Sequence, residues 1–108
     1  MSDDTTQSAP VSTASASEGS AQESVRLVCV LNESGLHARP AARLSQEAQK
    51  FQADISIGMS GRTVDAKSIL DILTLAAGHG ANLELRATGV DAHAALEQLA
   101  GLFKNRFQ

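Results

Sequence analysis

The sequence predicts a two-layer α/β sandwich with the element order βαββαβα and its helices on one face of the sheet. Short apolar or alternating segments, typical of strands, are separated by segments in which apolar residues recur at helical spacing. Clusters of Asn, Asp, Ser and Gly mark the turns between them. Because each predicted helix has one apolar stripe, a single sheet with helices packed on one face buries all of these surfaces.

The first predicted strand and helix begin the pattern. Residues 25–31 are apolar except for Arg26 and rich in β-branched side chains, which favours a strand buried near the sheet centre, and residues 32–35 supply a turn. A helix is predicted over residues 38–50 because its apolar residues recur at helical spacing: Ala41, Leu44 and Ala48.

A hairpin and a second helix are predicted next. Residues 53–57 alternate apolar and polar side chains, and residues 58–61 turn the chain into a short partner strand that ends at Val64. Residues 68–77 predict a second helix, which the Gly-containing turn at residues 78–80 closes.

The last predicted strand and helix complete the order. Apolar residues of a fourth strand alternate with polar ones at Leu83, Leu85 and Ala87. Asp91 is a favourable N-cap for the final helix, while Lys104 and Arg106 complement its C-terminal dipole. The buried stripe of this helix comprises Leu96, Leu99 and Phe103.

Residues 1–24 differ in composition from the rest of the chain. They are rich in Ser, Thr and Ala and have no periodic apolar residues, which predicts a disordered tail or linker before a domain at residues 25–108. Four of the twelve acids lie in this tail, so the domain has eight acids against nine bases. This weak charge, with only three aromatic residues and no basic cluster, argues against a nucleic-acid partner.

Membrane insertion, disulfides and metal sites are not expected. No apolar run approaches the roughly 18–20 residues of a membrane span, and the tail lacks the features of a signal peptide, so we expect a cytoplasmic protein. The single cysteine, Cys29, is predicted to be a small buried apolar residue. His79 and His93 have no cysteines or carboxylates at metal-ligand spacing, and we expect both to lie on the surface, with no metal or cofactor.

The segment Gly35-Leu36-His37-Ala38-Arg39-Pro40 is the candidate functional motif. If His37 is the N-cap of the first helix, the backbone N–H groups of Ala38 and Arg39 have no intrahelical partners and can bind an anion. Arg39 adds a full charge and a fork that matches phosphate oxygens, while an imidazole is a nitrogen nucleophile. Taken alone, these residues also permit an ordinary loop histidine beside a solvated arginine.

The motif Gly-Leu-His-Ala-Arg-Pro-Ala-Ala resembles the active-site signature of HPr, the histidine phosphocarrier of the bacterial phosphotransferase system. The resemblance continues through residues 66–70, Thr74, Leu75 and the Gly80 loop to the last helix. It implies the HPr fold, an open-faced sandwich in which three helices cover one face of a four-stranded antiparallel sheet.

In that family the histidine accepts a phosphoryl group from phospho-enzyme I, itself charged by phosphoenolpyruvate, and passes it to sugar-specific EIIA proteins. The resemblance therefore implies that His37 is the phosphoryl acceptor and that Arg39 stabilises the phosphate, with the backbone amides of Ala38 and Arg39 as further donors. The sequence has no ATP-binding loop or set of metal-binding carboxylates, so we expect a monomeric covalent carrier that does not turn over alone.

Ser68 begins the second helix, and Asp71 follows three residues later, close to a capping-box spacing. The matching serine is phosphorylated by a regulatory kinase in HPr proteins of many Gram-positive bacteria. The resemblance thus leaves two interpretations of Ser68 open: capping alone, or modification by an HPr kinase/phosphorylase.

A docking surface for enzyme I and EIIA is expected on the first two helices. Its predicted members are Ala38, Ala42, Arg43 and Gln46 on the first helix and Ile69, Leu70 and Leu73 on the second. Rim packing of Leu73 is the alternative.

The tail favours a domain of a multiphosphoryl transfer protein over a free sugar-system HPr or a nitrogen-system paralogue. The sequence also permits a regulatory module that controls partners through its phosphorylation state, or a small-anion or metal-binding sandwich.

Overall fold

The computed structural model describes residues 22–108 and confirms the predicted element order. The strands are β1 (Glu23–Cys29), β2 (Asp54–Met59), β3 (Arg62–Asp65) and β4 (Asn82–Thr88). The helices are α1 (Ala38–Ala48), α2 (Ile69–Thr74) and α3 (Ala92–Lys104). Most of the predicted tail lies outside the described residues, but Glu23 and Ser24, which we assigned to it, belong to β1.

The four strands form one antiparallel sheet in the order β1-β4-β2-β3. Its inner face carries the alternating apolar residues of β2 and β4, including Ile55, Ile57, Leu83 and Leu85, which are almost fully buried beneath the helices. Leu44, Ile72 and Leu99 from the three helices complete this core. The predicted open-faced sandwich is therefore confirmed.

The prediction that residues 25–31 form a central, buried strand is wrong. β1 is an edge strand, and Leu27 is 76 % exposed on the uncovered face, where it pairs with Glu84. Val25 is exposed as well, and Cys29, predicted to be buried, is half-buried. The apolar run extends over both faces of the strand, although only one face of this sheet is covered by helices.

The hairpin between β2 and β3 is tighter than predicted. β2 continues to Met59, so Ser60 and Gly61 alone form the turn, both with positive φ (51° and 83°). Two successive left-handed residues give the twist that joins neighbouring antiparallel strands. This turn lies at the same end of the sheet as the end of β1, because β1 and β2 are both antiparallel to β4.

The second helix, α2, is shorter than the predicted 68–77 and ends at Thr74. Ala76 has a φ of 51°, which turns the chain out of the helical conformation. The next residue, Ala77, is buried and its carbonyl accepts a hydrogen bond from the Leu36 amide at 2.8 Å. The predicted last turn of the helix is therefore a non-helical segment, which connects the end of α2 to the loop before α1 through a hydrogen bond.

Asp91 occupies the N-cap position of α3 but does not cap it, contrary to the prediction. Its carboxylate accepts hydrogen bonds from the backbone N–H groups of Gln52 and Ala53, both at 2.8 Å. The bond from Gln52, with the weaker contribution from Ala53, lowers the pKa of Asp91 against the opposing effect of desolvation. At the same end of the sheet, Gly89 donates its N–H to the carbonyl of Gln22 at 2.8 Å.

Candidate functional site

The loop that precedes α1 is held by hydrogen bonds within the loop and by the close contact of Gly35 with Ala77. The Gly35 amide donates to the carbonyl of Asn32 at 3.1 Å, and the Asn32 side-chain amide donates back to the Gly35 carbonyl. Gly35 has a φ of 70°, and a Cβ there would lie only 2.5 Å from the carbonyl oxygen of Ala77. Leu36 is then buried in the core. These contacts fix the position of the backbone at the next residue, His37.

His37 occupies the N-cap of α1 in an extended conformation (φ −80°, ψ −168°), as predicted, and is exposed. Its carbonyl accepts the first helical bond, from the Ala41 amide at 3.0 Å. Within residues 22–108 its imidazole makes no capping hydrogen bond to the helix. The imidazole is therefore available for chemistry, beside the first-turn amides of Ala38 and Arg39, which lack intrahelical acceptors.

A groove of about 470 Å³ opens beside His37. It is formed by the loop before α1, by one side of α1 and by the chain that follows α3. Its lining residues are Asn32, Glu33, Ser34, His37, Arg39, Pro40, Ala42, Arg43, Gln46, Arg106 and Phe107. Three arginines and one glutamate thus line this groove together with His37, and the excess of basic residues favours an anion.

The family model described as "PTS HPr component phosphorylation site" matches residues 25–105. This chain belongs to the HPr family. The HPr phosphocarriers of Xylella fastidiosa (strain Temecula1) and Treponema pallidum are 45 % and 44 % identical to it over 78 and 84 residues. These alignments cover 72 % and 78 % of this chain, and 88 % and 96 % of the two relatives.

Solved HPr structures share the fold. HPr from Bacillus anthracis superposes with a TM-score of 0.72 at 46 % identity, covering 75 % of this chain and 96 % of that one. HPr-C-His from Thermoanaerobacter tengcongensis gives a TM-score of 0.76 at 36 % identity, covering 78 % and 94 %. The chain is thus an HPr-type phosphocarrier of the phosphotransferase system, and the resemblance noted from the sequence is confirmed.

The predicted docking surface of this HPr domain divides into two parts. On α1, Ala42, Arg43 and Gln46 line the groove beside His37, and Ala38 is exposed. The α2 members, Ile69, Leu70 and Leu73, are not among the residues that line the groove. Leu70 is 72 % exposed, whereas Ile69 and Leu73 pack against the core. Docking on either helix stays a prediction, and rim packing describes the position of Leu73.

Ser68 is the N-cap of α2, and its hydroxyl accepts a hydrogen bond from the Asp71 amide at 3.2 Å. The capping box is one-sided, because the Asp71 carboxylate accepts from the Asp65 amide at 3.3 Å instead of returning to Ser68. Gln49, just after α1, donates to the Lys67 carbonyl at 2.9 Å. Ser68 therefore lies by the opposite end of α1 from His37, and its phosphorylation stays a prediction.

His79 and His93 are exposed, as expected from the sequence. Across residues 22–108, no group of three or more His, Cys, Asp or Glu side chains is arranged to hold a metal ion. In that same part of the HPr chain, no helix has the length and apolar character needed to cross a membrane.

Five groove residues are not recognised from the sequence as part of the site: Asn32, Glu33, Ser34, Arg106 and Phe107. The first three are predicted only as a turn. Arg106 was interpreted only as a partner of the α3 dipole. Its position follows from topology: α1 and α3 are antiparallel, because α1 begins where β1 ends and α3 begins where β4 ends. The end of α3 must therefore return to the start of α1, where His37 lies.

Proposed function

We propose that His37 is the residue that carries the phosphoryl group, accepting it from phospho-enzyme I and passing it to an EIIA protein for sugar uptake. The observation that supports this most is the position of the imidazole at the exposed N-terminus of α1, in a groove with three arginines. A nitrogen nucleophile and a binding site for a phosphate dianion are thereby combined in one place.

The transfer requires little beyond positioning and charge. A ring nitrogen of neutral His37 uses its lone pair to form a bond to phosphorus, while the bond between phosphorus and its carrier atom on enzyme I breaks. That bonding pair stays on enzyme I. Passing the group to EIIA reverses the roles, and His37 recovers its lone pair as the leaving group.

Arg39 and the free amides of α1 stabilise the phosphorylated state in this proposal. The guanidinium can form two parallel hydrogen bonds to phosphate oxygens. The first-turn amides and the helix dipole contribute roughly 0.3–1 kcal/mol toward an anion near the N-terminus. Pro40, buried in the first turn, has no N–H, so it leaves no unpaired amide there.

Intact mass measurement tests the proposal. The full chain is incubated with enzyme I, magnesium and phosphoenolpyruvate, beside His37→Ala and Arg39→Gln. We expect one acid-labile phosphoryl group on the wild type, none on His37→Ala and slower labelling of Arg39→Gln. Labelling of His37→Ala equal to wild type, or no labelling of the wild type, would overturn it.

A second step tests the acceptor. Phosphorylated wild type, freed of enzyme I, is mixed with a purified EIIA protein, and loss of the group from this chain is followed together with its gain by EIIA. Transfer supports a place in sugar uptake. Labelling without transfer to any EIIA of the same cell favours the alternative, a regulatory or nitrogen-system paralogue that controls partners through its phosphorylation state.

The proposal also places this domain in the cytoplasm, as a monomer without a bound cofactor. Sedimentation of the unphosphorylated and phosphorylated chain tests the oligomeric state, with one species of monomer mass expected in both samples.

A further inference from the structure

The chain leaves α3 through a sharply defined turn that includes Arg106. The Phe107 amide donates to the carbonyl of Leu102 at 2.8 Å, and the Arg106 amide donates to that of Phe103 at 3.2 Å. This pair of bonds is the Schellman pattern, with Asn105 as the C-cap and Arg106 at the following position. The turn closes α3 and sets the direction of the residues after it.

Glycine is favoured at the position that Arg106 occupies. Arg106 has a φ of 57°, in the left-handed region, where a side chain with a Cβ is strained. Phe107 also has a positive φ, 61°, and its ring packs edge-on against Phe103 with centroids 5.0 Å apart. The aromatic contact anchors the strained turn, so the backbone at Arg106 leaves the helix in a defined direction.

Arg106 is among the residues that line the groove, together with His37, Arg39 and Arg43. Glu33 is the single carboxylate among the described residues that line the same groove. Within residues 22–108, none of the ion pairs involves Arg39, Arg43 or Arg106. The groove is therefore a site of unbalanced positive charge next to a residue that becomes dianionic when phosphorylated.

We propose that Arg106 is a phosphoryl-binding residue, supplying a second guanidinium to phospho-His37 from the end of α3 opposite Arg39. This inference rests on the proposed role of His37. A role in balancing the α3 dipole is already filled by Lys104 in the last turn of the helix. Arg106 lies beyond that turn, in a strained conformation that a dipole role does not require.

The phosphoryl equilibrium between enzyme I and this chain measures the interaction. Phosphoenolpyruvate is omitted, phospho-enzyme I is mixed with each variant, and the partition of the group is read by intact mass. Arg106→Gln is expected to shift the partition toward enzyme I by about two- to fivefold, the range for one exposed ion pair. Arg106→Lys should recover part of this loss, and high salt should reduce the difference between wild type and Arg106→Gln.

Lys104→Gln is the matched control, because it removes the same charge from the same helix end but does not line the groove. The proposal predicts an unchanged partition for this variant. An equal shift for Lys104→Gln and Arg106→Gln would assign the effect to the helix dipole and overturn the proposal, as would a wild-type partition for Arg106→Gln.

Arg106→Gly separates binding from folding. Glycine relieves the left-handed strain, so this variant should be at least as stable as wild type in urea while shifting the partition as Arg106→Gln does. A wild-type partition for the glycine variant would contradict the proposal. If the wild type itself accepts no phosphoryl group, the proposed function of His37 fails; if it does and Arg106→Gln is normal, only the role of Arg106 fails.

Discussion

Replacement of Gly35 by alanine tests how rigidly the loop before His37 is held. The new Cβ would lie 2.5 Å from the Ala77 oxygen and 2.8 Å from the Gly78 Cα, both backbone atoms that cannot rotate away. A left-handed alanine costs about 1–2 kcal/mol, and forcing the two segments apart adds about 1–3 kcal/mol. We therefore expect Gly35→Ala to lower the free energy of unfolding by about 2–5 kcal/mol.

Gly61→Ala provides the matched control for this experiment. Gly61 has a similar φ of 83°, but a Cβ there would meet no atom within 4 Å. The Gly61→Ala variant should therefore lose only about 1–2 kcal/mol of unfolding free energy, which is the cost of a left-handed alanine. Urea unfolding followed by circular dichroism gives both values, and the excess for Gly35→Ala measures the close approach to Ala77.

A Gly35→Ala chain no less stable than Gly61→Ala would refute this reasoning, since it would mean that the loop shifts without cost. At a temperature where both variants are folded, we further expect slower phosphorylation of Gly35→Ala only. The hydrogen bond from the Leu36 amide to the Ala77 carbonyl positions the backbone just before His37, and this substitution would disturb it. The difference in stability can also be followed thermally, at roughly 4–8 °C of Tm for each kcal/mol in a domain of this size.

Three further predictions concern the core, the cap of α2 and the contact of Asp91. Leu44→Ala should cost about 2–5 kcal/mol in urea unfolding, because Leu44 is fully buried, whereas the exposed Leu70→Ala should stay within about 0.5 kcal/mol of wild type; equal effects would contradict the burial. Ser68→Ala should cost about 0.5–2 kcal/mol through loss of its bond to the α2 N-terminus, and Ser68→Asn should restore most of it. Asp91→Asn should be less stable than wild type near pH 7. Because folding lowers the pKa of Asp91, this carboxylate stabilises the fold fully above its unfolded pKa. The difference should begin to decline as the pH falls below about 4 and should vanish only below the lower pKa of the folded state. A difference that is independent of pH would show that the charge of Asp91 is unimportant.

The order of elements was predictable because the spacing of apolar residues within each segment indicates a helix or a strand. Leu83, Leu85 and Ala87 alternate along β4 as the sequence indicates, and all three are buried. β1 was misplaced because a run without alternation does not reveal which face is covered. In β1, Arg26 and Val28 face the helices, whereas Leu27 faces the uncovered side of the sheet. Leu27 and Val28 are both apolar, so hydrophobicity does not distinguish the two faces.

The parts of the site close together in sequence were predictable, and the part contributed by distant residues was not. His37 and Arg39 share one motif at the start of α1, so the helix terminus alone indicates an anion site. Arg106 reaches the groove only through the packing of α3 and its final turn. Similarly, Asp91 has a typical N-cap position, but two amides after α1 compete successfully for its carboxylate.

The hydrogen bond between Gly89 and Gln22 fixes the side of the domain at which the chain enters β1. Gln22 enters at the start of β1, and His37 follows the other end of that strand, about 20 Å away for seven extended residues. A module joined through the residues before Gln22 would therefore attach on the far side of the domain from the groove. Such a linkage would raise the effective concentration of a neighbouring donor or acceptor without obstructing the groove beside His37.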